Sequence, residues 1–175
     1  MNKISREKLT EIIEAEDGNN WWVPEKFEKY IRAQLPVELK IIALPPVYEN
    51  NYNCFVFAFG LENDQEFIGG KNPVQQEFIK HLLSKNILKT KDVATLSDLV
   101  FYEDDSGLIT HGGTMQSEDR VISKWMWGPI IEHDLLEVPS SFGDKIFFCD
   151  SCEPKIIKGE YEKYRDSGVN IKPIN

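Results

Sequence analysis

The hydrophobic pattern of this chain changes character near residue 97, and that change constrains the fold more than any other feature. Before it, apolar residues recur at helical spacing. In "SREKLTEIIEA", Leu9, Ile12 and Ile13 form one stripe, and Ser5 is placed to cap a helix over about residues 6–15. Pro24 ahead of "EKFEKYIRAQL" marks a second helix with Phe27, Ile31 and Leu35 on one face. "NPVQQEFIKHLLSKN" predicts a third, with Pro73 near its start and Phe78, Ile79, Leu82 and Leu83 aligned; His81 falls at its surface or boundary. "LKIIALPPVYENN" is an extended segment stopped by Pro45 and Pro46. From Ser97 onward, "SDLVFYEDDSGLITHGGTM" predicts two strands joined by an acidic turn, "RVISKWMW" a third and "DKIFFC" a fourth. Helices followed by an antiparallel meander make an α+β fold, with N-terminal helices packed on an antiparallel sheet.

Length and charge narrow the function classes. A chain of 175 residues is long enough for one domain with its own core, without disulfides or metal. A net charge of −9 and no basic stripe argue against nucleic-acid binding, which needs a positive field to meet phosphates. No apolar run reaches the ~20 residues of a membrane span, and the charged N-terminus lacks the pattern of a secretory signal. Three cysteines are too few and odd in number for a disulfide framework. The expectation is a reduced, cytoplasmic protein, with export by a specialised secretion system left open.

The stretch "NYNCFVFAFG", residues 51–60, is ambiguous by pattern. Its aromatic and β-branched content suits a buried strand, whereas Asn53 is a good N-cap for a helix starting at Cys54. At the first turn of a helix, unpaired backbone N–H groups favour a thiolate. Such help matters, because an unperturbed thiol of pKa ~8.5 is only about 3% ionised at pH 7. Only three histidines are available to assist it. His111 lies on a predicted strand beside Gly112 and Gly113, where small residues permit close approach, and so is a candidate general base. Spacing alone favours the plainer reading, a satisfied polar residue at a strand edge, because a Cys and a His far apart in sequence are a weak signal.

The order "NYNCFVFAFG", "SDLVFYEDDSGLITHGGTM" and "VISKWMWGPIIEHDLLEVPSSFGDKIFF" resembles the NlpC-type, papain-like cysteine hydrolases, over about residues 51–148. It is most similar to a small branch with an Asn-Cys helix start, an "I-x-H-x-G" strand, an "S-K-W-G" segment and a downstream histidine. The resemblance implies a papain-like core at 51–148, an N-terminal extension at 1–50 and a C-terminal tail at 149–175. It also implies Cys54 as nucleophile and His111 as general base, with Ser123 or His133 as the third polar member that orients the ring. Tyr52, Asn53, Lys124 and Trp125 fall at substrate-contacting or oxyanion positions, beside the Cys54 backbone N–H. The implied chemistry is acyl transfer from a peptide-like or small-molecule substrate, muropeptide amides included, to water or to another acceptor. No cofactor or metal is implied, and an inhibitor or immunity partner is left unspecified. Two departures stand out: Ser97 replaces a turn glycine, and "SKWMWG" lengthens "SKWG", which would shift His133 relative to His111.

Other readings compete. "CDSC", Cys149 to Cys152, is half of a zinc site or a redox pair, but too few further ligands accompany it, and Pro154 follows where a redox pair wants a helix. "KWMWG" on a strand would send both tryptophans to one face, the usual way to fill a core. "YEDDSG" lacks the ligand spacing of a calcium loop. A binding or regulatory module on the same fold, without turnover, is the reading from another class.

Overall fold

The computed structural model describes residues 4–14 and 22–168. Its centre is a single antiparallel sheet of seven strands among the described residues. These are β1 (Lys40–Ala43), β2 (Thr90–Lys91), β3 (Leu99–Glu103), β4 (Ile109–Met115), β5 (Arg120–Lys124), β6 (Ile130–Asp134) and β7 (Lys145–Cys149), in the order β1-β6-β5-β4-β3-β7-β2. Among the described residues every strand pair is antiparallel and no α-helix interrupts the run from β2 to β7, so the fold is α+β.

Both sheet faces are covered, and the pleat sorts side chains between them. On β3, Leu99 and Phe101 enter one core with α3 (Cys54–Ala58), α4 (Gln76–Ser84) and α5 (Pro154–Asp166). Val100 and Tyr102 enter a second core with Leu9, Ile12 and Ile13 of α1 (Arg6–Glu14) and with Phe27 and Ile31. A period of two therefore makes β3 apolar at every position from 99 to 102, as expected for a strand with no solvent face. The second helical segment opens as α2 (Pro24–Lys26), widens to π spacing over Phe27–Ile31 and tightens to 3-10 over Arg32–Gln34.

Local chemistry fixes the element ends. Ser5 Oγ accepts from the Lys8 backbone N–H and starts α1; Ala15, the expected last residue of that helix, lies outside the described residues. The Arg6 guanidinium then ties α1 to the loop before β7, donating to the carbonyls of Val138, Pro139 and Gly143 and pairing with Asp144. Asp104 Oδ1 accepts from Ser106 and Leu108 N–H and closes the acidic turn between β3 and β4.

One ambiguity is resolved and two expectations need correction. Of the strand and the helix that the 51–60 pattern allowed, Cys54–Ala58 forms the helix, capped by the Asn53 side chain, which accepts from Val56 N–H at 3.1 Å. "RVISKWMW" stops being strand at Lys124; Trp125 to Gly128 form a turn, Met126 takes a left-handed φ of 53°, and the chain returns as β6. The extra residues are absorbed in that turn, so β6 keeps register and His133 stands opposite Val121. The C-terminal segment carries α5, and Pro154 begins it: proline suits a first turn, where its missing N–H costs nothing. Ile157 and Tyr161 bury it against Phe67, Phe78 and the rest of that core. No helix among the described residues is long and apolar enough to cross a membrane.

Candidate functional site

Cys54 begins α3 and is only 4% exposed. Its cap, Asn53, does double duty: Oδ1 accepts from Val56 N–H, and Nδ2 donates to the Val74 carbonyl at 2.7 Å. Burial pushes the thiol up to about 12, while backbone N–H groups of Gly112, Cys54 and Phe55 and the charge of Lys124 pull the other way. Those three N–H groups aim at the sulfur, where they stabilise negative charge.

The structure does not bring His111 to this thiol. Tyr102 stands opposite His111 and Phe101 opposite Gly112 across the β3–β4 ladder. Directly paired residues share a face, so His111 points with Tyr102 into the α1 core, away from α3. Its ring stacks on Phe142 at 4.0 Å and tilts against Tyr102 at 5.4 Å. The residue under α3 is Gly112, where a Cβ would come within 3.2 Å of the Phe55 ring. The dyad fails by one residue of strand phase.

On that far face His111, Ser123 and His133 meet. Ser123 Oγ lies 3.0 Å from His111 Nε2 and 2.8 Å from His133 Nε2, and His133 Nδ1 lies 2.8 Å from the Asp134 carbonyl oxygen. Gly113 makes room, since a Cβ there would sit 2.8 Å from that of Ser123. The polarity of the chain follows from its end. A carbonyl only accepts, so His133 Nδ1 carries the proton; burial holds that ring's pKa down at about 4, so it is neutral and its Nε2 is a lone pair. Ser123 therefore donates to His133 and accepts from His111 Nε2–H. His111 Nδ1 is left as a buried lone pair with no partner among the described residues. Burial first, and the nearby His133 second, hold His111 well below its ordinary value.

Lys124, next to Ser123, faces the opposite way and reaches the thiol side. It is fully buried, its Nζ lies 4.9 Å from the Tyr52 ring centroid, and it donates to the Gly128 carbonyl. Burial lowers its pKa to about 7, partly opposed by the charge of Cys54. Asn51 secures this end of the site: Nδ2 donates to the Trp127 carbonyl at 2.8 Å, and Oδ1 accepts from Tyr52 N–H at 2.8 Å. Trp125 is a core residue of the other face, against His133 and Phe142, and its indole N–H has no partner among the described residues.

Of the residues singled out by sequence, Cys54, Asn53, Tyr52 and Lys124 thus gather on one face, and His111, Ser123, His133 and Trp125 on the other. A model of a domain of unknown function, DUF7689, matches residues 46–150, more than half of the chain. The chain belongs to the DUF7689 family. The DUF7689 region holds every residue of both clusters and runs from just before α3 to the end of β7, leaving α1, α2, β1 and α5 outside it. No curated protein and no solved structure matches the chain.

Sequence reasoning missed two participants, Gly112 and the base-like character of Lys124. Counting strand phase exposes both, because a strand that turns His111 one way turns Gly112 the other. A lysine between Ile122 and Trp125 is likewise a burial signal. Elsewhere, Cys149 is buried and Cys152 half-buried, both as free thiols. Among the described residues no group of three or more His, Cys, Asp or Glu side chains could hold a metal ion.

Proposed function

We propose that this protein is a thiol acyl-transfer enzyme, of the amidase or peptidase class, with Cys54 as nucleophile and Lys124 as its base. The observation that carries this reading is the placement of a buried, near-neutral Lys124 amine in the field of a thiol that already meets three backbone N–H groups. The Lys124 amine takes the thiol proton, and the thiolate attacks the carbonyl carbon of a peptide-like or small-molecule substrate. The resulting oxyanion is met by backbone N–H groups at the start of α3. The Lys124 ammonium returns the proton to the departing amine, leaving a thioester on Cys54. Water, deprotonated by the same amine, cleaves that ester and restores the thiol. An amine or alcohol in place of water makes the reaction a transfer. A lysine pKa near 7 suits this cycle, since the group is then both acceptor and donor at neutral pH.

The burial of Cys54 and its raised pKa favour a second reading, a binding module in which the thiol is packing. Labelling with a thiol-directed acyl probe separates the two. Wild type is expected to label at Cys54 faster than at Cys149 or Cys152, and Cys54→Ala and Lys124→Met to lose that labelling. Equal, slow labelling of all three cysteines would sink the enzyme reading and leave the binding module.

A further inference from the structure

We infer that the chain His111–Ser123–His133 is a positioning device, which locks β4, β5 and β6 from behind and so holds Lys124 and the Gly112 backbone against Cys54. This role rests on the proposed chemistry only for its catalytic consequence; the clamp itself stands on geometry.

Each member of the clamp lies on a different strand, and the three strands are neighbours in the sheet. Ser123 sits between Gly113 of β4 and Ile131 of β6 in the ladder, so its hydroxyl can bond to both sides at once. The residue after His111 is Gly112, whose N–H meets the thiol, and the residue after Ser123 is Lys124. Movement of β5 against β4 would displace the Lys124 amine and the Gly112 N–H relative to each other. Backbone ladders resist such movement, but β5 gives only a short register to β4, from Gly113↔Ser123 to Met115↔Val121, and ends at Lys124. The clamp therefore closes the ladder at the end where the site is. All three side chains are fully buried. A buried hydroxyl with both partners in place has one geometry, because any slip leaves a buried polar group unpaired.

A general-base role and a clamp role make opposite demands on His111. A base needs an imidazole; the clamp needs only an N–H that reaches Ser123 Oγ, which glutamine supplies. The test is the titration of Lys124 in the full-length protein, followed by NMR of 13C-labelled lysine, with Cys54 and Tyr52 as the groups that face it. Wild type is expected to titrate near 7 and His111→Gln to match it. Ser123→Ala, and His111→Phe as a second variant that keeps the ring packing, are expected to move the midpoint upward by about one pH unit. Nitrogen shifts should report His111 protonated at Nε2 and His133 at Nδ1. Folded Ser123→Ala and His111→Phe proteins with an unmoved midpoint, or the opposite tautomers in wild type, would overturn the clamp. Acyl-probe labelling on the same samples keeps the two claims apart. A moved midpoint without Cys54 labelling retains the clamp and removes the enzyme; labelling with an unmoved midpoint does the reverse.

Discussion

Gly112 and Cys54 face each other across the α3–β4 contact, and His111 faces away from both. The backbone N–H of Gly112 reaches the thiol, while the adjacent imidazole stacks on Phe142 in the other core. The first consequence is kinetic. Alkylation of Cys54 by iodoacetamide is expected to rise with a midpoint near pH 7, as the Cys54–Lys124 pair loses its first proton. Lys124→Met should abolish that step and leave a rate that climbs only in strong base, whereas His111→Gln should preserve it.

Lys124 also sets a pH slope on stability. Its folded pKa of about 7 lies below the ordinary 10.5, so the unfolded chain binds more protons between those values and stability rises with pH there. The thiol, raised from 9.0 to about 12, works in the opposite direction above pH 9. Between pH 7 and 9 the lysine acts alone of the two, with a gain of roughly 2–3 kcal/mol. Urea unfolding across that window should show the gain in wild type and a flat profile in Lys124→Met.

The histidine chain sets a second slope, at lower pH. His133 titrates at about 4 in the fold against 6.5 in the open chain, so its neutral form is favoured by folding. Stability from this group is intact above pH 6.5 and falls by about 3 kcal/mol as the pH drops to 4. His111 adds to the loss in the same direction. His133→Gln, whose side-chain oxygen accepts from Ser123 as the imidazole does, should flatten the thermal-shift curve between pH 6.5 and 4.

Gly113→Ala should be severe. The added methyl would lie 2.7 Å from the Ile122 carbonyl oxygen and 2.8 Å from Ser123 Cβ, contacts that only a shift of β5 can relieve. A loss of about 3 kcal/mol or more in chemical denaturation is expected, from overpacking and from the unpaired Ser123 hydroxyl together.

Ser97 offers the reverse case. It holds a left-handed φ of 69°, and its N–H donates to the Met115 carbonyl at the end of the β3–β4 hairpin. Ser97→Gly should remove steric cost at that angle and stabilise the fold by up to about 1 kcal/mol, part of the gain being offset by added freedom in the unfolded chain. A higher urea midpoint with unchanged slope is the expected record.

The α+β class was legible because Leu9, Ile12 and Ile13, or Phe78, Ile79 and Leu82, declare their helices by spacing, and β3 and β4 flank a recognisable acidic turn. Less was legible where one residue type serves two structures. Pro154 reads as a stop in sequence, yet it opens α5, because the missing N–H and fixed φ that end a helix also begin one. "IIEHD" was hidden by the tryptophan-rich turn before it, which looked like more of the preceding strand. For the site, chain order pointed to Cys54, His111, Ser123, Lys124 and His133, all of them buried polar residues. Order carries no information on phase, and phase placed His111 behind the sheet and Lys124 in front of it.

Asn53 ties two pieces of backbone with one amide, the first turn of α3 and the Val74 carbonyl ahead of α4. Each segment is thereby anchored to the other through a single side chain: opening either one breaks one of its two bonds and loosens the amide that holds the second. Hydrogen exchange should record this as a shared opening energy for the Val56 amide and the amides leading into α4, a single latch with two leaves.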